Sequence, residues 1–379
     1  MNKDFIARNP DITCNCNSFW IILKKKNISF TKLGHEECEL CEIFENDEHG
    51  KENLDPSCEI CQKYTIHSKK AEQSRALYKE DANKINPKNE VYYSADLQKV
   101  IMLPRMESYK IAIFTQRIIA FNQSFVPVGT NQKNLRPIAA IWHEGIAGRK
   151  KEDLIRAFHQ FFLNNRDAIK ITLWLDNCAA QNKNWTMLSY LVYIINSGMI
   201  SAQKIFIKYF GPGHTFMSAD SFHNQVELQM KYKKNIYDFP DFKEAVGAAN
   251  SSKTRVIDMN IHQFYDWLDL TSINRIKKLK PRPYISDFTT LMVKQGSKAI
   301  FYTENYDYEN IKTLEFLKIK SEKEPISLPG ARNQPRGINP EKKSAILKKL
   351  CFLMSTDRQI FCQEIPENTL SRDLNTSID

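Results

Sequence analysis

The sequence predicts an α/β protein: a mixed sheet with flanking helices, preceded by a small zinc-stabilised module and followed by an α+β region. Strand-like and helix-like runs alternate between residues 91 and 235, as expected of a sheet with helices on its faces. Two Cys-x2-Cys pairs precede that stretch, and short apolar runs mixed with charge follow it. Hydrophobic residues make up 42% of the 379, which argues against wholesale disorder and allows a sizeable core.

The first segment, 1–68, reads as a cysteine-rich zinc module. Cys38-x2-Cys41, sixteen residues, then Cys58-x2-Cys61 is the spacing of two knuckles clasping one tetrahedral ion. The residues between them include Glu45, Asp47, Glu48, Lys51 and Asp55 and are too polar to build a core unaided, so zinc would supply folding energy. His35, His49 and His67 lie close enough to replace a cysteine, or to hold a second ion with Cys14 and Cys16. Glu36, Glu37, Glu39 and Glu42 would repel phosphate, so protein contact or scaffolding fits this module as well as DNA reading.

Residues 69–90 form a connecting helix with a basic face, carrying Lys69, Lys70, Arg75, Lys79 and Lys84 and ending at Asn86-Pro87. In the core, strands are expected over 91–103, 109–128 (in two pieces), 138–143, 169–175 and 204–210. Helices are expected over 151–164 and 184–196, the second ended by Gly198, and over 220–234 with Asp220 as N-cap. The accessory region 236–328 is α+β, with a helix face at 264–268 and a strand at 299–302. Residues 329–379 read as a linker, a basic helix from Pro340 to about Leu353, and a flexible tail.

The chemistry concentrates in acids delivered by separate elements. The apolar run 171–175 ends in Asp176, as a buried strand bringing a carboxylate to a sheet edge. Asp220, His223 and Glu227 cluster at the start of a later helix, and Asp96 lies within the first strand. Such acids can hold a pair of Mg2+ or Mn2+ ions, which take hard oxygen ligands and act on phosphodiester bonds. Each residue also has a structural use: Asp176 could satisfy loop amides, Asp220 cap its helix, Glu227 lie on an exposed face, and His214 and His223 fill the interior.

Leu175-Asp176-Asn177-Cys178-x2-Gln181-Asn182 together with Pro212-Gly213-His214-x6-Asp220-x2-His223-x3-Glu227 resembles a transposon-derived domain of the ribonuclease H-like (DDE/DDD-type) transposases and their domesticated relatives. The resemblance spans roughly residues 30–270 and is clearest in the second half of the core. It implies a ribonuclease H-like sheet, with catalytic, magnesium-binding acids at Asp96, at Asp176, and at Glu227 or Asp220. Asn177, Gln181 and Asn182 would orient those acids or bind phosphate, while His214 and His223 would protonate a leaving group or line the site.

A net charge of +10 makes a polyanion such as DNA a plausible partner. The densest basic run, Arg275, Lys277, Lys278, Lys280 and Arg282, fits nucleic-acid contact or nuclear localisation. The longest apolar window, 188–195, falls short of the ~20 residues of a membrane span, so no membrane partner is expected. No signal peptide is evident, and the nine cysteines then suggest a reducing compartment. No recognisable helix-turn-helix precedes the zinc region, so the chain is expected to be truncated, domesticated or dependent on a separate sequence-specific DNA-binding partner, with homo-oligomerisation a further expectation. The competing expectation is a catalytically inactive protein that keeps the fold to bind nucleic acid or protein.

Overall fold

A computed structural model describes residues 6, 15–25, 38–46, 54–85, 89–106, 108–129, 134–267, 276–306, 310–318 and 329–368. The chain divides into two compact units, Met1–Tyr64 and Thr65–Asp379. Cys14, His35, His49, Arg275 and the expected flexible tail from 369 lie outside the described residues.

In the first unit, α1 (Cys16–Lys25) is followed by the short α2 (Glu39–Glu45), and α3 (Glu59–Asn83) begins within it. Phe44 is buried and stacks on Tyr64, with ring centroids 3.8 Å apart. A single stacked pair is a small core, in line with the polarity of the intervening sequence.

The second unit is built on a ten-stranded mixed sheet. Its strands are β1 (Glu90–Leu97), β2 (Ile101–Leu103), β3 (Ile118–Pro127), β4 (Ile138–His143), β5 (Lys170–Leu175), β6 (Lys204–Tyr209), β7 (Arg255–Asp258), β8 (Thr290–Lys294), β9 (Ile300–Thr303) and β10 (Lys312–Leu314). The order is β10-β9-β8-β6-β5-β1-β3-β4-β7, with β2 also paired to β3. Strands β1, β5 and β6 run parallel, while β1, β3 and β4 form an antiparallel meander. The region after 236 adds β7 to one edge and β8 to β10 to the other, so it extends the same sheet.

Strand periodicity sorts the side chains onto two faces. Val91, Tyr93, Ala95, Ile171, Leu173 and Leu175 face α5 (Lys151–Asn164) and α6 (Trp185–Asn196), whose Leu154, Phe158, Phe161, Leu188 and Leu191 complete one apolar cluster. Tyr92 and Trp174 belong to the other cluster, with Phe222, Val226 and Met230 of α7 (Ser218–Lys233) and Phe242 and Val246 of α8 (Phe239–Ser252). Asn184 caps α6 by accepting the Met187 amide at 3.0 Å, and Gly198 takes φ +72 just beyond its end, where a Cβ would be strained. The basic C-terminal helix is α9 (Pro340–Lys349), followed by α10 (Thr356–Glu364).

Two elements differ from expectation. The first piece of 109–128 is a short helix, α4 (Lys110–Phe114), despite its β-branched Ile111 and Ile113. Ile113 and Phe114 are exposed there, so no sheet face recruits them and local propensity loses its hold. The expected helix face at 264–268 is extended instead over its described residues. Phe264 and Trp267 are buried while Tyr265 bridges to Ala331, so those aromatics fill the core from a non-helical strand. Leu268 lies outside the described residues.

Candidate metal centre

Sheet register brings two of the acids level. In the parallel β1–β5 pair Ser94 lies opposite Trp174, so the same register carried two residues on sets Asp96 against Asp176. Both share the parity of Tyr92 and Trp174 and therefore face α7. The Cys178 thiol is pushed up by burial and then by the negative charges of Asp176 and Asp96, so both carboxylates lie within electrostatic reach of that sulfur.

Helix α7 brings the remaining metal-capable side chains. The ligand atoms of Asp96, Asp220 and His223 all lie within 4.8 Å of one another. His223 Nδ1 is 3.5 Å from Asp96 Oδ2, and its side chain is only 12% exposed. Burial pushes the His223 pKa down to about 3, so the ring is neutral at ordinary pH. Its Nε2 is buried without a hydrogen-bond partner among the described residues. Asp220 sits inside the first turn rather than at the cap, and its carboxylate accepts the Met217 backbone N–H at 2.8 Å. The Ala219 amide donates to Ser94 Oγ at 3.0 Å, tying this helix start to β1.

The other residues singled out by sequence are spread around this centre. Asn182 Nδ2 donates to Asp176 Oδ1 at 2.5 Å and so orients that carboxylate. Asn177 donates to the Phe210 carbonyl and accepts from Lys183. Gln181 lies in the same loop, its amide bonded to the Cys178 carbonyl at 3.2 Å. Glu227 points elsewhere and pairs with Arg105 at 2.8 Å. His214 pairs with His67 across 3.0 Å between their Nε2 atoms. Lys278, Lys280 and Arg282 are exposed, Lys277 is half-buried, and Arg282 lies over the Trp185 ring at 4.9 Å.

Sequence reading missed Lys183. Its ammonium also donates to the Ser286 carbonyl at 2.7 Å, linking the Asp176 loop to the turn that follows the basic run. Burial lowers its pKa to about 8. A lysine next to Asn182 offers no sequence signal, because only folding buries it.

Metal-capable cysteines and histidines occur in both units. In the first, the Cys38 and Cys41 sulfurs lie within 4.8 Å of each other, while Cys58 precedes α3 and Cys61 is buried in its first turn. Cys58 and Cys61 belong to no gathered set of three or more metal-capable atoms among the described residues, unlike the four-thiolate expectation. In the second unit, His67 and His214 form the facing imidazole pair. These are ligands of the kind zinc takes. Among the described residues no helix is long and apolar enough to cross a membrane.

A family model described as a domain of unknown function, DUF7869, matches residues 154–305. That stretch contains Asp176, Asp220 and His223 but not Asp96. No curated protein and no solved structure matches the chain.

Proposed function

We propose that this chain is a transposase-derived protein whose ribonuclease H-like core binds two Mg2+ or Mn2+ ions and cleaves or transfers DNA strands. The observation that carries the reading is the gathering of Asp96, Asp220 and His223 beside the strand end that bears Asp176. The order from β1 to α7, strands then helix, strand, helix, strand, helix, is the one the transposase resemblance implies. When bound, the ions supply an activated water or 3′-hydroxyl and a stabilised leaving oxygen.

The chain's own groups divide that work. Asp96, Asp176 and Asp220 offer hard oxygens to the cations, and neutral His223 holds a nitrogen beside Asp96. Asn182 keeps the Asp176 carboxylate oriented, which second-sphere partners do for metal ligands generally. Glu227 is engaged by Arg105, which makes Asp220 the third acid. Lys278, Lys280 and Arg282 are exposed for phosphate contact, and Lys183 joins their segment to the Asp176 loop. DNA as partner, nuclear location, self-association and a separate sequence-reading partner belong to the same reading.

The test is Mg2+- or Mn2+-dependent cleavage and strand joining on mixed DNA substrates. Asp96→Asn, Asp176→Asn and Asp220→Asn should each lose at least about 10²-fold in rate, whereas Glu227→Gln should keep most activity. Equal rates in wild type and Asp176→Asn would sink the assignment. An inactive wild type that still binds DNA would leave the catalytically silent binding protein.

A further inference from the structure

The His67–His214 pair lies outside the acidic centre, and the proposed chemistry does not use it. His67 sits in α3 and is buried, while His214 follows Gly213, whose φ of +72 turns the chain between β6 and α7. Their Nε2 atoms are 3.0 Å apart and the rings tilt by 48° with centroids 4.9 Å apart, so two ring nitrogens converge on one point. Two imidazoles bound to one tetrahedral zinc at about 2.0–2.1 Å hold their nitrogens roughly 3.3 Å apart. The observed span is close to that value.

The surroundings hold both rings in this pose. The Arg75 guanidinium donates to the His214 carbonyl at 3.0 Å and to the Phe216 carbonyl, clamping the loop onto α3. Tyr78 OH accepts the Ser218 amide at 2.8 Å one turn further along. Burial lowers both histidine pKa values, with His214 acting on His67 and Arg75 on His214. A hydrogen bond between two neutral imidazoles would span a similar distance, and it is the rival explanation.

We propose that His67 and His214 are two ligands of a structural zinc ion held within the second unit. His214 then acts as a positioning residue instead of a proton donor. The ion fastens the loop from Gly211 to Met217 to α3, immediately ahead of the first two turns of α7, which carry Asp220 and His223. Zinc in this place is a brace for the acidic centre.

X-ray absorption at the zinc edge on the full wild-type chain tests this directly and needs no enzymatic readout. The expected first shell includes two nitrogens at about 2.0–2.1 Å, with about one zinc per chain. Four sulfurs and no nitrogen, or a zinc content near zero, would overturn it. His67→Asn and His214→Asn should each lower zinc retention under mild chelation at least tenfold, read by metal analysis. Retention equal to wild type in both variants would also overturn it. Because every readout is zinc itself, failure of the nuclease reading leaves this result standing, and the reverse holds.

Discussion

The two faces of the sheet are packed by different physics. Under α5 and α6, Phe125, Phe158, Phe161 and Phe162 interlock with Tyr93 and Trp142, and polar groups are exceptions. One exception is Arg156, fully buried over the Phe264 ring at 4.7 Å, its nitrogens without hydrogen-bond partners among the described residues. On the opposite face several charges are paired: Asp81 with Lys208 and Lys84, Glu227 with Arg105, Glu144 with Lys342, and Asp238 with Arg358. The candidate acids lie on this second face. The proposed function requires one side where carboxylates are tolerated, and the other side then supplies apolar burial.

The sharpest way to break the comparison is to damage the apolar face alone. Phe161→Ala, at a fully buried ring stacked on Phe125, should cost about 3–5 kcal/mol in denaturant unfolding. It should leave Mg2+ affinity unchanged in whatever fraction stays folded; a change in affinity would mean the faces are not independent.

On the charged face, Asp81→Asn is the matching experiment. Asp81 is 1% exposed and accepts from Lys208 and Lys84 at 2.7 Å and from Trp174 Nε1 at 2.9 Å. Burial alone would raise its pKa, but these three donors outweigh burial and hold it below the ordinary carboxylate value. The amide keeps one acceptor, so a loss of about 3 kcal/mol is expected, near the low end for a broken buried pair. Unchanged stability would show that Lys208 finds water instead.

The two faces share a response to acid, since histidines whose pKa burial lowers lie on both, His159 in α5 and His223 in α7. Burial pushes His159, on the apolar face, down to about 4 from an ordinary 6.5. The unfolded chain takes up a proton below pH 6.5 that the folded chain refuses until about pH 4. Stability from this residue is therefore complete above pH 6.5 and falls as pH drops toward 4, by at most about 1.4 kcal/mol per unit. His159→Phe should flatten the slope of unfolding free energy against pH in that window, and an unaltered slope would locate the proton uptake elsewhere.

Much of this protein is determined locally. The alternation of 138–143, 151–164, 170–175 and 185–196 follows from side-chain period, and Asn184 and Gly198 bound their helix by backbone chemistry that any context would respect. The position of Asp176 at the end of an apolar run already marked it as a strand-end carboxylate. No pattern chooses between Asp220 and Glu227, since both lie on one helix, Asp220 in its first turn and Glu227 near its middle. The tertiary structure separates them because Arg105, from a distant loop, pairs with Glu227 while Asp220, in the first turn of α7, lies close to Asp96. His67 and His214, 147 residues apart, likewise meet only through folding. Periodicity and capping report on neighbours in the chain, whereas a ligand set is made by residues that sheet register and helix docking bring together, and one sequence carries no direct record of those distances.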